Sequence, residues 1–381
     1  MPVFFLYFSG YLDLRSVIQL EAIYYISVVL LEVPSGYFSD VVGRKKTLLI
    51  SAIFLFCACI FYLLANSFFT FVLGQICFAG WMAFKSGTNT VFHYESLKAL
   101  NRDNEYGDRE ALISKWGMWA AAIAALIGGA LATFDLSFAY WLTLLGAIIA
   151  VATALQFKEP SSAEKENEMA YSVGQQIKTT VAYLKLKPLG WLFTYLILLY
   201  ILAHVPYEFY QPYLKLLENK GVLMDIKAPF ISGLLYALAM FIGAFAAGRS
   251  MKLQRRFGLK ALLIFSMLLM LLVVGMLGSV LHASMVLIIL LRSVPNSLIK
   301  APTNNIITPL IASGQRATFH SMISLVSRLA FFASLFALSL LVPKDSLNDW
   351  STLSRLFLVC AGFGLVLFIP LQFGMSKQID E

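Results

Sequence analysis

Apolar runs of about 20 residues recur along the whole 381-residue chain, separated by short polar connections. Each is long enough to cross a hydrocarbon core of about 30 Å as a helix. Hydropathy and breakers predict spans at 2–14, 16–39, 47–66, 68–96, 112–134, 136–157, 189–213, 228–250, 259–281, 283–310, 318–342 and 351–374. The short alternating segments of a membrane β-barrel are not seen. The expected fold class is an all-α polytopic membrane protein with 12 transmembrane helices. The longest polar connection, 158–188, divides the spans six and six. It gives an N-terminal half at 1–157, a cytoplasmic linker at 158–188 and a C-terminal half at 189–381. In the linker, Val173, Ile177 and Val181 recur every four residues. That spacing suits a short helix on the inner surface or a solvated linker equally.

Composition agrees: 59% of residues are hydrophobic and 13% charged, where soluble domains carry about a quarter charged. The net charge of +8 does not imply nucleic acid, because the cations flank spans. Nineteen of the 29 Lys and Arg fall in one alternating set of loops, at the span ends beside them or in the tail, five in the opposite set and five deeper inside spans. The richer set is expected in the cytoplasm, which places both termini inside and the protein in the inner membrane. Cys57, Cys59, Cys77 and Cys360 all lie in apolar runs, so disulfides and a metal site are not expected. No cofactor motif or Walker A loop occurs.

The two halves repeat. Lys85-Ser-Gly-Thr88-Asn89-Thr90-Val91 matches Lys300-Ala-Pro-Thr303-Asn304-Asn305-Ile306, and GRKKTLLIS from Gly43 matches GLKALLIFS from Gly258, both at an offset of 215. Duplicated six-helix halves with a long linker are a transporter architecture, with the substrate site expected between the halves near mid-membrane. By the same repeat, Pro2 to Leu12 corresponds to Pro206 to Leu214, deep in span 7. About two-thirds of the first span is then expected to be missing, through a misassigned start or a clipped chain, with a genuine half-helix as the alternative.

The connection EVPSGYFSDVVGRKK, from Glu32 to Lys46, holds five charges in fifteen residues. GYFSDVVGRKK resembles the signature between helices 2 and 3 of the major facilitator superfamily: Gly36, Asp40, Gly43, Arg44 and Lys45 match, while Phe38, Ser39 and Val41 depart. The resemblance covers the chain, with its 12 spans and 6+6 repeat. It implies that Gly36 lets span 2 approach span 11 closely. It also implies that Asp40 accepts backbone N–H groups at the start of span 11, near Ala317 to His320, as a cytoplasmic latch. Gly43 permits the tight turn, and the cations anchor the loop. The equivalent loop, Gly248 to Lys260, keeps the glycine and cations but lacks the acid. EVPSG and SGTNTVFHYESLKAL look like a bacterial, efflux-like branch of the superfamily. Two antiporter signatures are weak: AALIGGALA has Gly128 and Gly129 but no proline, and Gln75 sits where many proton antiporters carry Arg.

Charges within spans call for explanation. Arg292 and Arg328 fall near mid-membrane by axial rise and are candidates for contacting an anionic substrate group; pairing with acids or carbonyls is the alternative. Lys85 and Lys300 lie nearer the inner face and can snorkel. Asn89 and Asn304 stand one turn from them, so each pair shares a face. In span 7, Gln211 accompanies His204 and Glu208, one turn apart and the best proton-coupling pair visible. Pro206 and Pro212 are expected to bend that helix. Glu21 and Glu32 share one face of span 2, near its outer and inner ends, as further coupling candidates.

The expected function is secondary transport of a small organic solute by alternating access, as proton-coupled efflux by a monomeric antiporter in the lipid bilayer. The alternatives are a facilitator or importer of an organic anion, or an inactive truncated transporter. An enzyme is not expected, for no HExxH or paired mid-membrane catalytic acids appear.

Overall fold

The computed structural model of the chain describes residues 3–160, 181–223, 226–311, 316–343 and 349–374, and those residues are helical with short connections. The chain divides into two compact units. Unit 1 is Met1–Met169 with Leu335–Asp345, and unit 2 is Ala170–Ser334 with Ser346–Glu381.

Unit 1 begins with α1 (Phe4–Phe8), α2 (Leu14–Val42), α3 (Arg44–Leu63) and α4 (Phe68–Lys85), followed by α5 (Thr88–Ala99), α6 (Tyr106–Leu131) and α7 (Ser137–Gln156). Local chemistry sets the boundaries. The Asp13 carboxylate accepts the Ser16 N–H at the start of α2, and the Ser67 hydroxyl accepts the Thr70 N–H at the start of α4; both are N-caps. Although α1 is barely more than one turn, all five of its residues are buried. Its rings join an aromatic cluster: Tyr7–Tyr140 centroids are 4.2 Å apart, Phe8–Phe71 5.1 Å and Phe8–Tyr62 5.4 Å.

The fourth span differs from expectation. It is not one helix but two, broken at Ser86–Gly87, where Gly87 takes φ 74°. That left-handed conformation costs glycine little and strains other residues. Lys85 and Asn89 therefore stand on different helices, on either side of the break.

Unit 2 contains α8 (Lys187–Asn219), α9 (Ala228–Ser279), α10 (Met285–Leu290), α11 (Val294–Leu310), the first part of α12 (Arg316–Leu341), whose residues from Leu335 on fall in unit 1, and α13 (Trp350–Phe373). Pro188 and Pro229 sit in the first turns of α8 and α9, where no intrahelical N–H is needed. The helix α8 runs unbroken through Pro206 and Pro212. The 52 residues of α9 contain one non-helical position, Gly258. The stretch rises about 78 Å, enough for two passes, so the predicted spans 8 and 9 meet at that glycine. The tenth span is also interrupted: a 3₁₀ turn, Leu291–Ser293, separates α10 from α11. Aromatic polar groups tie the helices together. The hydroxyls of Tyr195 and Tyr213 donate to the carbonyls of Leu263 and Val280 at 2.7 and 2.6 Å, and the Trp191 indole donates to Leu371 O at 2.6 Å.

Ten helical stretches among the described residues are long and apolar enough to cross a membrane, α9 counting once. Their outer faces expose Phe245, Phe265, Leu272, Phe363, Val366 and Ile369, a surface that lipid covers.

Candidate functional site

Three polar constellations interrupt these apolar helices. The first lies at the α2–α3 turn. Gly43 takes φ 112°, ψ 154° and makes the turn in a single residue, as expected. The Glu159 carboxylate, just beyond α7, accepts the backbone N–H of Arg44 at 2.6 Å and of Lys45 at 2.9 Å. It thereby satisfies two of the orphan donors at the start of α3, where an anion is favoured. The Arg44 guanidinium donates to Ser39 Oγ at 2.9 Å and lies 3.6 Å from the Glu95 carboxylate. Lys45 contributes its backbone. Gly36 is exposed on α2, and a Cβ there would meet nothing of unit 1 within 4 Å. The side chains of Asp40 and Ala317 in the expected latch lie outside what the structure describes, as does most of the linker.

The second constellation is buried in unit 1. Tyr62 Oη donates to Gln75 Oε1 at 2.7 Å, and Gln75 Nε2 donates to Glu21 Oε1 at 2.9 Å. Tyr62, Gln75 and Glu21 are 2%, 3% and 7% exposed. Glu21 is thus enclosed by protein within unit 1. Helix α4 can approach Tyr62 only because residue 74 is glycine, since a Cβ there would lie 2.6 Å from the Tyr62 ring. Tyr7 Oη adds a bond to the Tyr62 carbonyl at 2.9 Å. Glu32, on the same helix as Glu21, is half-buried; its carbonyl accepts the Ser35 hydroxyl.

The third is in unit 2. Arg292 sits in the 3₁₀ turn, 7% exposed. Its guanidinium carbon is 4.4 Å from the Tyr210 ring centroid and 5.3 Å from that of Tyr207, and Nη1 reaches the Pro206 carbonyl at 3.5 Å. Cation–π contacts of this kind contribute about 0.5–2 kcal/mol each, against at least about 2.5–3.5 kcal/mol for a charge at mid-membrane. Glu208 and Gln211 are 1% and 0% exposed. Tyr210 Oη accepts from Ser232 Oγ at 2.9 Å and from Gln211 Nε2 at 3.5 Å. His204 Nδ1 donates to Tyr200 O at 2.8 Å, which leaves Nε2 as the basic nitrogen of the neutral ring. Both Arg328 and Arg292 lie within electrostatic range of His204.

The structure therefore gathers Arg292, Glu208, Gln211, His204 and Arg328 in one region. Lys300, exposed, is eight residues beyond Arg292, about 12 Å along the helix axis; Asn304 is half-buried one turn further. Lys85 is exposed, with its ammonium 5.2 Å from the Trp81 ring centroid, and Asn89 is exposed. Glu159 and the Glu21–Gln75 bond were not legible in the sequence, because each joins residues more than 50 positions apart.

Comparison with known proteins accords with this architecture. The sequence profile of the Major Facilitator Superfamily matches residues 2–335, and the chain belongs to that family. It is a membrane transporter, not an enzyme. Among solved structures it is similar to the nucleoside transporter NupG (15% identity, TM-score 0.77, covering 96% of this chain and 92% of that one). A D-xylose-proton symporter is also similar (14%, 0.65, 94% and 89%), as is a bacterial homologue of the iron transporter ferroportin (18%, 0.64, 97% and 93%). At these identities the likeness concerns the fold. No curated relative matches the chain.

Proposed function

We propose that the chain is a proton-coupled secondary transporter that exports a small organic solute across the inner membrane by alternating access. The observation that carries this reading is the pair His204 and Glu208, one turn apart on α8, with Glu208 1% exposed inside a membrane-spanning helix. Intramembrane ionisable groups of this kind mark solute and proton pathways. Glu21 and Glu32 are the further candidates for coupling. Arg292, Arg328, Gln211, Asn304, Lys300, Lys85 and Asn89 are assigned to the solute pathway. Gly36, Asp40, Gly43, Arg44 and Lys45 are assigned to the cytoplasmic gate. Export accords with the likeness of EVPSG and the stretch after span 4 to efflux-like members of the superfamily. Both termini are assigned to the cytoplasm from the distribution of cations, and the working unit is taken as a monomer.

The second reading is facilitated or inward movement of an organic anion, favoured by the buried guanidinium of Arg292. Flux in proteoliposomes across a metabolite panel, with and without a pH gradient, separates the two. Coupled export predicts accumulation driven by the gradient, facilitation predicts flux indifferent to it, and no flux in either direction contradicts both.

A further inference from the structure

Arg292 is a cation enclosed within a membrane-spanning unit, and among the described residues no carboxylate lies within 4.0 Å of its guanidinium. Its one hydrogen bond there, to the Pro206 carbonyl, is long at 3.5 Å. A buried guanidinium ordinarily has an anion or several good acceptors, because desolvation otherwise opposes its burial. Tyr210 and Tyr207 offset only part of that penalty through the π face of the group. Hydrogen bonds to a guanidinium run in its plane, so stacking on rings leaves the N–H fork for another partner.

The surroundings narrow what that partner is. Tyr207 is within electrostatic range of both Arg292 and Glu208, so an acid shares the neighbourhood. A single carboxylate matches the Arg292 fork with its two coplanar oxygens, and each further negative charge on the solute would add repulsion from that acid. Tyr236, half-buried, is within electrostatic range of Arg292 and Tyr210. Three tyrosines thus stand near the guanidinium, which suits an apolar or aromatic body behind the carboxylate. The 3₁₀ turn is held against α9, where Gly243 faces Ser293 and Ser297; a Cβ at Gly243 would lie 3.0 Å from Ser297 Oγ.

We propose that Arg292 is the anion-recognition residue of a site for small organic monocarboxylates, formed by α8, α9 and the 3₁₀ turn within unit 2. This rests on the reading of the chain as a solute transporter and names the class of solute.

The test measures binding by the purified full chain in detergent, in carboxylate-free buffer, to matched acid and amide pairs: benzoate and benzamide, phenylacetate and phenylacetamide, nicotinate and nicotinamide, hexanoate and hexanamide. At least one acid should raise the thermal midpoint and bind tenfold or more tightly than its amide. Arg292→Gln should abolish that preference, Arg292→Lys should restore part of it, and Tyr210→Phe, which keeps the ring, should retain it. Equal binding of acid and amide across all pairs overturns the proposal, as does an acid preference that survives Arg292→Gln. If Arg292→Gln fails to fold, the unaltered chain and Arg292→Lys still decide. Gradient-driven flux of neutral solutes without acid preference would overturn the carboxylate site alone. Arg292-dependent acid binding without any flux would overturn the transporter reading alone.

Discussion

Glu159 closes the start of α3 from 115 residues away, its two carboxylate oxygens accepting the N–H groups of Arg44 and Lys45. Gly43 makes room for it: a Cβ there would stand 3.0 Å from the carboxyl carbon. Glu159→Ala should lower stability by about 0.5–2 kcal/mol, the range for losing an N-cap, and speed amide exchange at 44–45. Gly43→Ala, with its positive φ, should cost about 1–3 kcal/mol. The two losses should not add, since removing the carboxylate relieves the contact. Unchanged exchange at 44–45 in Glu159→Ala would refute the cap.

The Tyr62–Gln75–Glu21 chain is buried throughout. Gln75→Leu should destabilise unit 1 by about 1–3 kcal/mol, because a buried carboxyl loses its amide donor. Tyr62→Phe in addition should cost less than it does alone. Thermal unfolding in detergent of the two single variants and the double variant checks this; strict additivity would show that the three groups do not act as one chain.

Outside the membrane, Glu105 accepts from Arg102 at 2.6 and 2.9 Å and from Arg109 at 2.7 Å. These bonds hold its carboxyl down at about 2, against an ordinary value of 4.5. A depressed carboxylate contributes stability above its unfolded value and loses it as pH falls. Proteolytic resistance of the α5–α6 connection should therefore be flat from pH 7 to about 4.5 and fall between 4.5 and 2. In Glu105→Gln that acid step should vanish. Loosening of the unaltered loop already between pH 7 and 5 would contradict this.

The orientation proposed from the cation distribution can be checked by labelling. Lys98→Cys and Lys220→Cys both replace exposed side chains. A membrane-impermeant maleimide should reach position 220 in intact cells and position 98 only after permeabilisation. The reverse pattern would invert the assigned topology.

Hydropathy alone placed most helices, and Gly258 was legible as the division between two passes because cations surround it. The break at Gly87 was not, since a glycine in an apolar run looks the same whether it serves packing or a left-handed turn. Counting residues gave Arg292 an expected place within its span, but its tyrosine partners lie more than 80 positions earlier, and only tertiary packing brings them together. Local period and charge are written in the chain, whereas long-range pairing depends on how the helices pack.

Coupling of solute movement to protons can be read in proteoliposomes of the full chain carrying a lumenal pH indicator, with the metabolite panel added and solute flux followed in parallel. Proton-coupled export gives solute-dependent proton movement opposite in direction to the solute and proportional to its flux, lost in Glu208→Gln. Solute flux with a flat lumenal pH would contradict it.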